Sequence, residues 1–295
     1  MPVLLKVLTV VAPVFAVIGL GYIFARFRTI SLKPVIDILL YLTIPALVIT
    51  SLTDTKIVPG ELFLITIAAC GVVFGTWLMT FIYLKATGKR DGRGMYLTTM
   101  FMNCANIPFP IALLAFGQEG LSLTVLYYIA ISILVYSLGI YIAKGKGNGG
   151  LTEIFRLPLI YATVLGLGVN FSGVELPAVF MTTMKMLGAA TIPLMQISLG
   201  YQLRSIKITH LKSSAAASII RIGGGLMMAW LIVTLLGIEG LPGQIIILTS
   251  AMPSAVITFV MSYRYDVQSE QVASTVALST IISLVTIPLI LFFIL

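Results

Sequence analysis

The chain has 295 residues, of which 59% are hydrophobic and only 9% are charged, and its mean hydropathy is +1.10. Soluble globular domains carry about 25% charged residues, so this composition excludes a soluble protein and predicts an all-α polytopic membrane protein. The formal net charge of +8 does not indicate nucleic-acid binding, because the basic residues lie in short segments between apolar runs.

Ten apolar segments are predicted to be membrane-spanning helices, since a span needs about 20 residues, and the sixth of them is short as drawn. These predicted spans cover 3–25, 32–52, 61–84, 94–117, 121–143, 157–172, 177–202, 213–237, 241–263 and 269–294. The first is interpreted as a span and not as a cleavable signal, because it lacks a small-residue cleavage site. An interfacial segment at 151–157 is expected to lead into the sixth. Cys70 and Cys104 both lie inside spans, which predicts buried free thiols.

The segments that connect the spans alternate in charge along the chain. Five of them, around 26–33, 85–93, 144–156, 204–212 and 264, hold fourteen of the eighteen basic residues. Glu119, Glu175 and Glu239 lie in the segments between them. The positive-inside rule therefore predicts a multi-pass protein of the cell membrane with its basic loops in the cytoplasm and both termini outside.

The two halves of the sequence share features at a nearly constant separation. The tripeptide Thr-Ile-Pro at 43–45 recurs at 191–193, which is 148 residues later, and an interruption at Pro108 recurs at Pro253, 145 residues later. Each half holds five predicted spans, an odd number, so the halves cross the membrane in opposite directions. The sequence predicts two inverted five-helix repeats, residues 1–148 and 149–295, joined through the glycine-rich stretch 145–150.

The fourth and ninth predicted spans are interrupted near their centres. The stretch 103–110 (Asn-Cys-Ala-Asn-Ile-Pro-Phe-Pro) places two prolines inside an apolar run, and 252–254 (Met-Pro-Ser) interrupts the second half. Proline removes a backbone donor and disfavours helical geometry in the residue before it. Freed backbone groups are tolerated in the membrane only where protein or a water-filled cavity satisfies them. Two broken helices around a midplane binding site are therefore expected.

The substrate expected at this site is an anion. Half-helix N-termini carry a partial positive charge, and two basic residues against one acidic residue lie well inside the spans, away from their ends. The amides of Asn103 and Asn106 either bind the substrate or only cap the half-helices. Pro108, Pro110 and Pro253 shape the interruptions in either case.

These segments resemble the auxin efflux carrier family, in its bacterial and archaeal branch. The matching pieces are 19–22, 42–47, 189–194, 199–203 and 251–256. The resemblance implies broken, crossing helices 4 and 9, as in sodium/proton antiporters and bile-acid symporters. It also implies a dimerising scaffold from helices 1, 2, 6 and 7 and a mobile transport domain from helices 3–5 and 8–10, the elements of elevator-type alternating access. Members export auxin in plants, and bacterial relatives are associated with malate, malonate and other small carboxylates.

The chain departs from that family pattern at both interruptions. Family members commonly carry glycines after the asparagine of helix 4, where this chain has 107–110 (Ile-Pro-Phe-Pro). Many also have an asparagine after the helix 9 proline, where this chain has 256–258 (Val-Ile-Thr). The second half of the site is therefore expected to use Ser254 and Thr258, and the identity of the substrate is not carried over.

Three charged residues, Asp37, Lys185 and Arg221, lie well within the spans and are functional candidates by default. Asp37 and Lys185 occupy equivalent positions in inverted repeats, so their depths differ by about 15 Å at 1.5 Å rise per residue. Arg221 lies near the depth of Asp37, which predicts an Asp37–Arg221 pair and leaves Lys185 to carbonyls, solvent or the anion. A protonatable Asp37 would couple transport to protons. Interfacial anchoring of each side chain is the alternative.

Together these features predict a secondary active or facilitative transporter of a small organic anion, with proton or sodium coupling open. No phosphate-binding loop for ATP is present, and His210 stands alone in a basic loop, so no enzyme activity, cofactor or metal site is expected. Two alternatives remain: a membrane-embedded ligand sensor with a transporter fold, and a sodium-coupled symporter of a larger amphipathic anion. The expected partners are the anion, membrane lipid and a second copy in a homodimer.

Overall fold

The computed structural model describes residues 3–88, 91–145 and 155–295, and every regular element within these ranges is a helix. The helices, labelled here in chain order, are α1 (Val3–Phe27), α2 (Lys33–Thr53), α3 (Pro59–Thr87), α4 (Arg93–Met100), α5 (Pro108–Lys144), α6 (Pro158–Ser172), α7 (Ala178–Ser205), α8 (Leu211–Leu235), α9 (Gly240–Ser250), α10 (Val256–Arg264) and α11 (Ser269–Ile294). Seven of these are long and apolar enough to cross a membrane, and α6 and α9 are shorter apolar helices. The chain is a helical multi-pass membrane protein. Two predicted segments lie mostly outside the described residues: the linker, at 146–150, and the interfacial segment, at 151–154.

Prolines begin several of these helices and glycines end others. Pro59 and Pro158 stand in the first turns of α3 and α6, where the missing N–H would have had no partner in any case. Gly88 and Gly173 follow α3 and α6 with φ of +69° and +68°, the left-handed conformation that closes a helix and favours glycine.

Helix α5 contains a sharp turn that separates two of the predicted spans. Gly117 has φ 72° and ψ −160°, which side-chain-bearing residues rarely adopt, and this kink lies near the predicted loop at Glu119. The fourth predicted span, 94–117, is therefore made of α4, the non-helical stretch 101–107 and the first part of α5.

The helices form two groups, each packed more closely internally than with the other. One group holds α1, α2, α6 and α7, and the other holds α3, α4, α5 and α8 to α11. Helices α1 and α7 approach so closely at Gly21 and Gly200 that a methyl group on Gly200 would overlap the Ile18 carbonyl. Small residues allow the two helix backbones to come into contact. Such close packing drives helix association in a membrane, because apolar side chains gain little by leaving the equally apolar lipid.

Three helices contain a π-helical turn: Leu39–Thr43 in α2, Val135–Gly139 in α5 and Ile220–Gly224 in α8. Such turns place an extra residue in a helix and are frequent at functional sites. The first two border the cavity described below, and the third carries Arg221.

Candidate functional site

The non-helical stretches 101–107 and 251–255 lie side by side and run antiparallel. The Asn103 N–H donates to the Pro253 carbonyl (2.7 Å), and the Ala255 N–H donates to the Phe101 carbonyl (3.0 Å). A single β-bridge joins the two stretches between these bonds. Because each stretch supplies hydrogen bonds to the other, part of the backbone freed from the helices is satisfied within the membrane.

Ser254 and Thr258 are fully buried, and both hydroxyls bind backbone. The Ser254 hydroxyl donates to the Thr98 carbonyl (2.8 Å), and the Thr258 hydroxyl donates to the Ala255 carbonyl (2.6 Å). Neither side chain lines the cavity beside the interruptions. Their contacts fix the shape of the second interruption.

The three prolines of the interruptions are also absent from the cavity wall. Pro108 opens α5 and Pro110 lies in its first turn, where a missing N–H costs no helical hydrogen bond. Pro253 accepts the hydrogen bond from Asn103 that joins the two stretches. The prolines therefore determine where the helices stop and restart.

A cavity of about 270 Å³ lies between the paired interruptions and helices α2, α5 and α7. Its wall is mostly apolar, and no charged side chain from the described residues lines it. The wall includes Ile36 of α2, Tyr136 of α5 and Gln202 of α7, and each lies toward the end of its helix that carries Lys33, Lys144 or Arg204, respectively. The cavity is therefore on the side of the basic loops.

Asn103 and Asn106 are the two predicted binding residues that line this cavity. Asn103 is only 5% exposed, and its Oδ1 accepts a hydrogen bond from the Asn106 N–H (3.0 Å). Its Nδ2 is buried without a partner among the described residues. An unpaired buried donor costs about 1–3 kcal/mol, so this amide is a favourable place for an acceptor atom of a ligand.

Two helix N-termini border the same cavity. Asn106 precedes the start of α5 at Pro108, and α10 begins at Val256, which is part of the wall. Both helix starts carry a partial positive charge. In α5, Pro108 and Pro110 have no N–H and the Phe109 N–H donates to the Ala105 carbonyl, so the first-turn N–H groups without an acceptor among the described residues are those of Val256 and Ile257 in α10. With the Asn103 amide they favour a molecule that has an anionic or acceptor end and an apolar body.

Arg221 is completely buried, and its guanidinium lies at the ends of α4 and α9 instead of beside Asp37. Nη1 donates to the carbonyls of Thr99 (2.5 Å) and Met100 (3.2 Å), and Nη2 donates to the Ser250 carbonyl (2.6 Å). Asp37 is exposed, and no ion pair within the described ranges joins it to Arg221. The structure does not form the predicted pair, because similar depth does not fix the direction in which two side chains point.

Lys185 forms an ion pair that was not predicted. Its Nζ lies 3.0 Å from Oδ1 of Asp54, the residue that follows α2. The Lys185 side chain is 54% exposed, so the pair is worth about 0–1 kcal/mol. From the sequence, Lys185 is left to carbonyls, solvent or the anion, because Asp54 lies outside the predicted spans, between 32–52 and 61–84.

Five further polar residues of the wall were not singled out from the sequence: Tyr128, Ser132, Tyr136, Ser198 and Gln202. The first three recur every four residues along α5 and therefore share one face of the helix. Polar side chains on one stripe of an apolar span were an available signal. Ser198 and Gln202 are likewise four residues apart on α7 and share one of its faces.

The described residues contain no group of three or more His, Cys, Asp or Glu side chains placed to hold a metal. Cys70 and Cys104 are free thiols, and Cys104 forms part of the cavity wall. The functional groups at the cavity are thus amide, hydroxyl and backbone N–H groups, which suit reversible binding.

Comparisons with known proteins show which protein family the chain resembles. A family model described as membrane transport protein matches residues 6–154 and 149–291. An uncharacterized transporter from Methanothermobacter thermautotrophicus is 29% identical over 260 residues, covering 85% of each chain. An uncharacterized transporter from Methanocaldococcus jannaschii is 27% identical over 299 residues, covering 95% of this chain and 96% of its own. The chain therefore belongs to the membrane transport protein family, which is the family of the auxin efflux carriers that its motifs resemble. It is a membrane transporter.

Proposed function

We propose that this transporter carries a small organic anion across the cell membrane by elevator-type alternating access. The observation that supports it most directly is the buried, unpartnered Nδ2 of Asn103 in a cavity bordered by two helix N-termini. A carboxylate placed there would accept from this amide and from the first-turn N–H groups of α10 at Val256 and Ile257. The mostly apolar wall would hold the rest of the molecule.

The proposed architecture has ten spans in two inverted repeats, 1–148 and 149–295, with broken spans 4 and 9 crossing at the paired interruptions. Span 4 would consist of α4 and the first part of α5, and span 9 of α9 and α10. A contact between corresponding residues supports the repeat: the Thr191 hydroxyl donates to the Thr43 carbonyl (2.8 Å), and these residues are 148 positions apart.

The two groups of helices suggest the moving parts. The group of α1, α2, α6 and α7 would form the scaffold, through which we place the homodimer contact, and the other group would form the transport domain. The cavity lies between them, with wall residues such as Leu40 on one side and Asn106 on the other. A site shared in this way changes its access when one group moves relative to the other.

The orientation follows from charge. With basic loops in the cytoplasm and both termini outside, the cavity on the basic side would be an inward-facing site. Proton or sodium coupling remains part of the proposal, and Asp37, exposed near the basic end of α2, is not placed to contact the cavity amides. We therefore assign substrate binding to Asn103 and Asn106.

The test is electrical. Protein reconstituted in liposomes on a solid-supported membrane would receive pulses of malate, malonate, short monocarboxylates and indole-3-acetate. We expect saturable currents from at least one carboxylate, and a roughly ten- to hundredfold weaker apparent affinity in Asn106→Ala and Asn103→Asp, as loss of a hydrogen bond to a charged group predicts.

The variant Asn103→Asp is informative because its carboxylate keeps the acceptor for the Asn106 N–H while it removes the donor and adds a repelling charge. Gln118→Glu is the matched control, an amide-to-carboxylate change at an exposed position outside the cavity. Currents that persist in Asn103→Asp, or that fail equally in Gln118→Glu, would contradict the site. Silence of the wild type with every carboxylate would contradict the substrate class.

A further inference from the structure

Arg221 binds the carboxyl ends of two helices at once. Met100 and Ser250 are the last residues of α4 and α9, and the guanidinium donates to both carbonyls and to that of Thr99. None of these four residues lines the cavity that holds Asn103. The cation therefore lies outside the cavity lining, at the place where α4 and α9 end.

The electrostatics of this place favour a cation. The last carbonyls of a helix have no partner within it and carry a partial negative charge, and here two such ends converge. Carbonyl oxygens are also the ligands with which proteins hold hard metal cations. No carboxylate pairs with Arg221 within the described part of the chain, so its charge is balanced by these helix ends.

The surrounding residues keep the guanidinium in position. A methyl group on Gly225 would overlap both Arg221 Nη2 and the Ser250 carbonyl, so a glycine is needed there. The Tyr127 hydroxyl bonds the Ser250 hydroxyl (2.8 Å) beside it. The π-helical turn that carries Arg221 ends directly before Gly225. The place is thus shaped around the arginine side chain.

We propose that Arg221 is a tethered cation that holds the two interrupted helices together in the place a bound metal cation would otherwise take, so that the substrate site forms without sodium. This role is independent of the substrate, and it makes Arg221 a positioning residue. Any ion whose gradient drives transport would then have to bind elsewhere, because the guanidinium already occupies the place between the two helix ends.

The proposal is tested by thermal unfolding of the detergent-purified full chain, without substrate. For the wild type we expect the same unfolding midpoint in sodium, potassium and choline chloride. Arg221→Ala should unfold roughly 5–15 °C lower, as a lost buried charge interaction predicts. Guanidinium chloride at millimolar concentration should restore part of this loss by binding the vacated carbonyls, while leaving the wild type unchanged. Arg204→Ala, which removes an exposed arginine at the end of α7, is the control.

A second pair of variants keeps the proposal testable if Arg221→Ala does not fold. Arg221→Lys keeps the charge, whereas Arg221→Met keeps apolar volume without charge. A tethered cation predicts that the lysine variant is the more stable of the two. Replacing buried charges by apolar residues is often stabilising, so the opposite order is physically realistic and would overturn the proposal. A sodium-dependent rise in the wild-type midpoint, or no guanidinium effect on a folded Arg221→Ala, would overturn it as well. Loss of carboxylate currents alone would bear on the transport proposal and leave this one standing.

Discussion

Asn103 uses the two ends of its amide for different purposes. Oδ1 accepts from the Asn106 N–H and so shapes the first interruption, while Nδ2 has no partner among the described residues and is the donor that we propose for the ligand. The two roles considered from the sequence, capping and substrate binding, are therefore compatible within one side chain. A carboxylate in the same place could supply only acceptors, which explains why an amide is the better residue for an anion site.

Gly225 gives a prediction at the scale of one atom. Gly225→Ala should destabilise the protein by about 1–3 kcal/mol, since the new methyl group would displace the Arg221 guanidinium or the Ser250 carbonyl. Gly223→Ala, two residues earlier in the same helix, meets nothing within 4 Å and should be neutral or slightly stabilising, by about 0.5–1 kcal/mol. The measurement is the unfolding midpoint of both variants. Equal effects would show that the space beside Arg221 is not restrictive.

Sequence reasoning identified Arg221 as an intramembrane charge, but it could not find the correct partners. The 1.5 Å rise per residue gives depth, and depth alone favoured Asp37. The true partners are backbone carbonyls, which no side-chain pattern reveals, because every residue has one. The glycine run 223–225 was a partial signal, since one of its members makes room for the guanidinium.

At the scale of elements, the molecule replaces helical hydrogen bonds with bonds between two broken segments. The prolines and asparagines of 103–110 were enough to predict an interruption, because proline chemistry is local. The antiparallel bonds to 253–255 could not be predicted, since they join residues about 150 positions apart through tertiary packing. Ser254 and Thr258 were expected to contact the ligand because the sequence shows that their side chains are polar. The sequence does not show the direction in which those side chains point.

This arrangement predicts unequal hydrogen exchange along the interruptions. The N–H groups of Asn103 and Ala255 are bonded across the pair and should exchange slowly. Those of Val256 and Ile257 lie in the first turn of α10 beside the cavity and have no carbonyl of their own helix to bind. They should exchange faster and slow down when a transported carboxylate is added. Mass spectrometry of peptides that cover α10, with α11 as the reference, measures this.

One outcome of that measurement would contradict the proposed site, and another would not locate it. Ligand-induced slowing confined to other helices would place the carboxylate elsewhere. Uniform slowing across the whole chain would indicate general stabilisation, which any bound ligand produces by mass action. Slowing that is lost in Asn103→Asp but kept in Gln118→Glu would connect the first turn of α10 to the Asn103 amide.

At the scale of the whole molecule, the charges of the loops and the position of the cavity together predict which side of the membrane the site faces. The alternation of basic and acidic loops predicts orientation, a property that no fold reveals without a membrane. The cavity lies on the side of the basic loops, a property that the sequence could not supply because it depends on how the two helix groups pack. Together they predict that the site is open to the cytoplasm.

Cysteine labelling tests this in sealed, right-side-out vesicles with a membrane-impermeant maleimide. Cys70 and Cys104 would first be replaced by alanine, and single cysteines introduced at Glu175, Lys207 or Val260. Glu175→Cys should react from outside, whereas Lys207→Cys, in the basic loop after α7, should react only after permeabilisation. Val260→Cys, a 45% exposed position in the cavity wall, should behave like Lys207→Cys and be protected by a transported carboxylate.

The combination of results matters more than any one of them. If Glu175→Cys were protected from outside and Lys207→Cys reactive, the orientation would be reversed, and the same cavity would be an outward-facing site. If the two loop positions behaved as expected but Val260→Cys reacted equally from both sides, a continuous pore would replace alternating access. A substrate that shifts Val260→Cys labelling from the inner to the outer side, with the loop positions unchanged, would require the transport group to move past the scaffold group, as an elevator does.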